Sequence, residues 1–125
     1  MSKIQALRRD ALPEAPSTPG IVRYLAFEGE GYLVVRSRAD PGAISAWHHH
    51  GDYDVYGYIL SGSERFEYGL MGKDAVVVGT GDFFHIPPHT IHRDVNPSPD
   101  EEQEALLFFR GSGPVVVNVD GPDRA

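Results

Sequence analysis

Two stretches decide the fold: Gly42 to Gly62, GAISAWHHHGDYDVYGYILSG, and Gly81 to Asn96, GDFFHIPPHTIHRDVN. Short runs of β-branched and aromatic residues sit between Gly, Asp and Pro, which is how strands separated by tight turns read. On a strand, successive side chains take opposite faces, so His48 and His50 point one way and His49 the other. All six histidines lie in these stretches, as His48, His49 and His50 and then His85, His89 and His92.

Outward from these stretches the same texture continues. IVRYLAF, YLVVRSR, AISAWHH, VYGYIL, ERFEYG, AVVVG, FFHIP, TIHRDV, EALLFFR and VVVNV read as ten short strands. The clusters between them, such as Asp40-Pro41-Gly42, Ser61-Gly62-Ser63 and Thr80-Gly81-Asp82, suit chain reversals and not crossover helices. No stretch after residue 20 holds a helical period, so the expectation is an all-β antiparallel sandwich or closed barrel. Residues 1–20 carry a weak helical spacing in Ile4, Leu7 and Ala11, stopped by Pro13, Pro16 and Pro19. They read as a loosely held N-terminal arm ahead of a single barrel domain, residues 21–125.

Composition narrows the function. A chain of 125 residues has the length of one ordinary domain. A formal net charge of −7, with no local cluster of Lys and Arg, argues against nucleic acid and anionic membrane as partners. With no Cys, disulfides, thiolate nucleophiles and Cys-ligated metals are excluded. No apolar run approaches the length of a membrane helix, and the start MSKIQALRRDAL lacks the apolar centre of a signal peptide, so a cytoplasmic protein is expected.

Read from spacing alone, His48-x-His50 is either half of a metal site, completed by His92 from a distant strand, or a pair on an exposed strand with no chemical role. The residues around it resemble the cupin superfamily. Gly42, His48, His50 and Gly62 fit its first motif, G-x5-H-x-H-x(3,4)-E-x6-G, and Gly81, Pro87, His92 and Asn96 fit its second, G-x5-P-x-G-x2-H-x3-N. The resemblance implies a double-stranded β-helix, or jelly roll, that holds one divalent metal ion on His48, His50 and His92. Two departures stand out. Val55 occupies the position of the usual Glu ligand; the looser spacing admits Asp54, whose side chain points away from the ion unless a bulge re-aims it. His89 occupies a position that is usually Gly.

Three neutral imidazoles leave an ion its full charge and open positions for substrate or dioxygen. The function that follows is a metal-dependent cupin enzyme acting on a small organic molecule, with an Fe(II) dioxygenase first. Mn, Ni, Cu and Zn are compatible with the same ligands. The alternatives are a non-redox isomerase, cyclase or lyase using the ion as Lewis acid, and a non-enzymatic binding module for a small ligand. His85 and His89 are candidate catalytic groups, against readings as a packed core residue and a turn residue. Arg36 and Arg110 are candidates to hold an anionic substrate, and Tyr58 and Phe108 to line its pocket, although core and outward solvated positions compete for all of them. Asn96 is expected to stabilise the turn that follows it. Partners are expected to be a small-molecule substrate and a second copy of the chain, as a homodimer.

Overall fold

The computed structural model describes residues 2–124, among which ten strands form and no helix does. In chain order they are β1 (Ile21–Gly29), β2 (Tyr32–Ala39), β3 (His48–His49), β4 (Asp54–Ser61), β5 (Ser63–Tyr68), β6 (Asp74–Gly79), β7 (Phe83–Ile86), β8 (His92–Val95), β9 (Gln103–Arg110) and β10 (Val117–Asn118). Every run expected to be a strand contributes one. AISAWHH does so only at its end, with Ile44 making an isolated bridge to Val95 ahead of it.

The strands divide into two five-stranded sheets, ordered β1-β2-β9-β4-β7 and β10-β3-β8-β5-β6, and every strand pairing is antiparallel. This is the jelly roll that the two motifs imply. Polarity alternation chooses the faces. In β9, Gln103, Ala105, Leu107 and Phe109 are buried, while Glu104, Leu106, Phe108 and Arg110 turn outward. Register then lines up the inward residues across the first sheet. Leu33, Phe109, Val55 and Ile86 form one row, and Val35, Leu107, Gly57 and Phe84 the next. Phe109 and Val55 are each 1% exposed, and sealing side chains of this size contributes roughly 2 kcal/mol apiece. Gly57 is small for a reason: a Cβ there would collide with the ring of Phe84, which lies across the sheet at that point.

The inner face of the second sheet is different. Phe66 and Val78 are apolar, but His48, His92, Glu64 and Asp94 are buried beside them, and Arg23 of β1 is only 2% exposed. Buried charge survives only where it is paired or coordinated, so this polar patch inside an apolar barrel locates the chemistry.

The N-terminal segment forms no helix, because Ile4 and Leu7 lie exposed with nothing to bury an apolar stripe against. Its second half runs along β1 instead: Ala15 N donates to Arg23 O at 2.8 Å and Leu25 N to Pro13 O at 2.7 Å. No helix among the described residues is long and apolar enough to cross a membrane.

Candidate metal centre

His48 and His50 belong to β3 and the residue after it, and His92 opens β8 directly opposite His48 in the ladder. Pairing the two strands therefore brings three inward imidazoles together, with ring centroids 4.3 Å (His48–His92), 5.0 Å (His48–His50) and 5.1 Å (His50–His92) apart. One nitrogen from each lies within 4.8 Å of the other two, and all three residues are buried.

Hydrogen bonding fixes which nitrogen that is. Nδ1 of His48 lies 2.7 Å from Ala46 O, Nδ1 of His50 2.7 Å from Val115 O, and Nδ1 of His92 2.8 Å from Thr90 O. A carbonyl oxygen only accepts, so each Nδ1 carries the hydrogen and each Nε2 offers a lone pair. The Nε2 atoms of His48 and His92 are sealed from solvent without any hydrogen-bond partner. Two orphaned acceptors in a buried space would each cost 1–3 kcal/mol by the usual scale, about what a coordinated ion would remove. Burial, followed by the neighbouring His92 and His48, pushes His50 down to about 3, and burial likewise lowers His92. Both rings are thus held in the neutral form that binds metal. The donor set fits a divalent ion with nitrogen affinity; Zn, Fe, Ni, Cu and Mn all satisfy it.

A carboxylate outside both motifs' fixed positions stands beside the imidazoles. Asp94, two residues after His92 on β8 and so on the same face, places Oδ2 3.4 Å from His48 Nε2 and Oδ1 3.6 Å from His92 Nε2. Arg23 approaches it at 3.9 Å and Glu64 shares a hydrogen bond with it. Burial opposes ionisation of Asp94, but His48, His92 and Arg23 outweigh it and hold the carboxyl below its ordinary range. Glu64 is pushed up, first by burial and then by Asp94. The sequence carried a signal for this group: His92-Arg93-Asp94 repeats the two-residue spacing of His48-His49-His50.

Beside His92 an apolar cleft of about 290 Å³ opens to solvent, walled by Phe66, Tyr68, Val76, Phe84, Ile86 and Pro87, with Thr90 also lining it. It lies where β6 and β7, the outermost strands of their sheets, face one another unpaired. No Lys or Arg lines it.

The remaining expected site residues fall elsewhere. Asp54 faces out of the barrel and pairs with His85, Oδ1 to Nε2 2.8 Å; β4 stays regular there, so no bulge re-aims it toward the imidazoles. His85 stacks on Tyr56 at 4.6 Å and stands at the rim of the cleft, apart from the three imidazoles. His89 is a turn residue with φ of 57°, the left-handed backbone for which the motif reserves Gly, and its Nε2 meets Asp52 at 2.6 Å in solvent. Arg36, Tyr58, Phe108 and Arg110 belong to the outward set of the first sheet, because each alternates with a core residue. Arg36 is bonded to Glu104, Tyr58 leans on Phe83 at 4.8 Å, and Phe108 and Arg110 are exposed. Phe109, the neighbour of Phe108, is the ring that enters the barrel, 5.3 Å from His50. Asn96 does tie its turn: Nδ2 donates to Asp40 O at 3.1 Å and Glu101 O at 2.8 Å, and Oδ1 accepts from Ser98 N at 3.1 Å.

One expected outcome tests this placement. Asp54→Asn should leave the metal content of purified protein unchanged and alter stability by no more than about 1 kcal/mol, as for an exposed ion pair. Elemental analysis showing less metal than wild type would return Asp54 to the site.

Residues 35–109 match the model of the Cupin_2 family, described as a cupin domain. Solved structures agree. An uncharacterized conserved protein with a double-stranded β-helix domain from Klebsiella pneumoniae is 19% identical, covering 94% of this chain and 99% of that one, with a TM-score of 0.74. KdgF from Halomonas sp. is 25% identical over 85% and 94% of the two chains, TM-score 0.68. The polyketide cyclase RemF from Streptomyces resistomycificus is 17% identical over 94% and 87%, TM-score 0.75. No curated protein sequence matches the chain.

Proposed function

The chain belongs to the cupin family, and from that premise we propose that it is a metal-dependent enzyme acting on a small, largely apolar organic molecule, with dioxygenase as its activity. The observation that carries the reading is the set of three buried imidazoles with one nitrogen each within 4.8 Å of the others, one of which, His92, also lines an apolar cleft. A divalent ion held there supplies Lewis acidity and, if it is iron, dioxygen chemistry.

The chain's own residues do the rest. His48, His50 and His92 hold the ion and are oriented by main-chain carbonyls. Phe66, Phe84 and Ile86 exclude water and select apolar surface by contact, so charge recognition of the substrate falls to the ion and not to an arginine. The cleft offers little for proton transfer: Tyr68 and Thr90 are hydroxyls, and His85 is engaged by Asp54. That favours chemistry centred on the ion. A second reading, a non-redox lyase, isomerase or cyclase, is favoured by one observation, the buried Glu64 carboxyl hydrogen-bonded to Asp94 inside the barrel.

Oxygen-electrode assays separate the two. Iron-loaded protein is expected to consume dioxygen with at least one member of a panel of diketones, thiols and aromatic diols, and to stop when zinc replaces iron. Turnover that persists with zinc would establish the second reading, and silence across the panel with iron would remove the first.

A further inference from the structure

We infer that the ring of Phe84 is the partition that a molecule in the apolar cleft must displace to reach the ion, so that this one side chain decides which substrates are admitted. The inference rests on the metal-centre reading above and adds to it the way in.

The cleft does not meet the lone pairs that would hold the ion. His92 lines it, but Nε2 of His92 is sealed from solvent, as is Nε2 of His48. A second and much smaller space, of about 20 Å³, lies inside the barrel, and His50 borders it. Asp94 borders it too, its carboxylate oxygens 3.4 Å from Nε2 of His48 and 3.6 Å from Nε2 of His92, so the three imidazoles converge beside this chamber. A polar space of this size has room for about one water molecule and not for an organic substrate. The cleft, at about 290 Å³, is near the lower end of small-molecule sites. A substrate whose body lies in the cleft therefore meets the ion only across whatever divides the two spaces.

Phe66, Phe84 and Ile86 line both. Phe66 and Ile86 are buried, whereas Phe84 is half-buried, and among the described residues that border the chamber it alone is not buried. Its strand is also the less firmly held. β7 has four residues at the edge of its sheet and pairs with β4 alone, while β5, which carries Phe66, is paired on both sides. Opposite Phe84 in the ladder stands Gly57, where a Cβ would collide with the ring, so the ring lies over bare backbone with no side chain beneath it. Phe66 flanks it at 4.8 Å. A ring placed in this way can turn between staggered wells about χ1, a fast motion for a side chain that is not fully packed, and each turn joins the cleft to the chamber.

The test loads the protein with Co(II) and follows two probes by the change they make in its d–d absorption: azide, a narrow three-atom anion, and tropolone, a planar ring with two adjacent oxygens. Wild type is expected to bind one Co(II) and to take up tropolone slowly. Phe84→Ala should accelerate tropolone association by at least about tenfold, because binding no longer waits on a conformational change, and azide association by less than about threefold. Phe83→Ala, which removes a ring that is 77% exposed on the same strand, should leave both rates at the wild-type value. Tropolone association within threefold of wild type in Phe84→Ala overturns the inference while leaving the imidazole centre standing. Equal acceleration of both probes also overturns it, since that marks general loosening and not selection by size. Wild type that binds no Co(II) overturns the metal-centre reading and the inference with it. Should Phe84→Ala not fold, Phe84→Leu, which keeps an apolar side chain of smaller reach, is held to the same two criteria.

Discussion

His92→Ala is expected to abolish stoichiometric metal binding, lowering affinity by more than about 100-fold, the upper range for loss of an outer partner alone. The residue is one of three mutually adjacent rings, 4.3 Å from His48 and 5.1 Å from His50. Removing it takes away one of three aligned nitrogens and leaves the others too few to hold a divalent ion. The variant also loses packing against Phe66, at 6.2 Å, so the metal-free protein should be somewhat less stable than metal-free wild type. Thermal melts separate the two effects. Wild type with metal at about a thousand times its dissociation constant should gain roughly 4 kcal/mol by mass action, and the variant should gain nothing. Equal metal content in both proteins would dismantle the site.

The metal-free protein is expected to lose stability steeply in mild acid. His50 binds a proton with an ordinary value of 6.5 when unfolded but only near 3 when folded. Between those limits the unfolded chain takes up a proton that the native state refuses, so stability falls as pH drops through the window and is recovered above 6.5. A shift of that size is worth on the order of 5 kcal/mol, and His92 is lowered in the same sense. Asp94, held ionised in the fold, adds to the loss below the ordinary carboxyl range, while Glu64, raised in the fold, acts the other way. Chelator-treated protein melted at pH 8, 6 and 4 should show the decline, and His50→Gln should flatten it. Superimposable profiles for the two would mean that His50 is not responsible.

The strands were legible because turn residues and alternation agree along most of the chain, and the three imidazoles because a spacing of two keeps His48 and His50 on one face. Which face is inward was harder. In β9, Leu106 with Phe108 and Leu107 with Phe109 are equally apolar pairs, and only register against Val55 and Val35 assigns the second to the core. The misplaced pocket residues Arg36, Tyr58 and Phe108 share this cause: parity on one strand is decided by packing on another. Asp94, Glu64 and Arg23 were passed over although each alternates with a residue of the inner face, Arg23 with Ile21 and Glu64 with Phe66. Charge on an apolar period was the clue.

Because each of the three imidazoles takes its bearing from a peptide carbonyl, at Ala46, Val115 and Thr90, no side chain of the cleft wall is responsible for aiming them. The exposed wall at Val76 is therefore free to diverge, admitting new molecules, while the centre keeps its aim. Reactivity and selectivity reside in separate parts of the chain, and a lineage can change one without renegotiating the other.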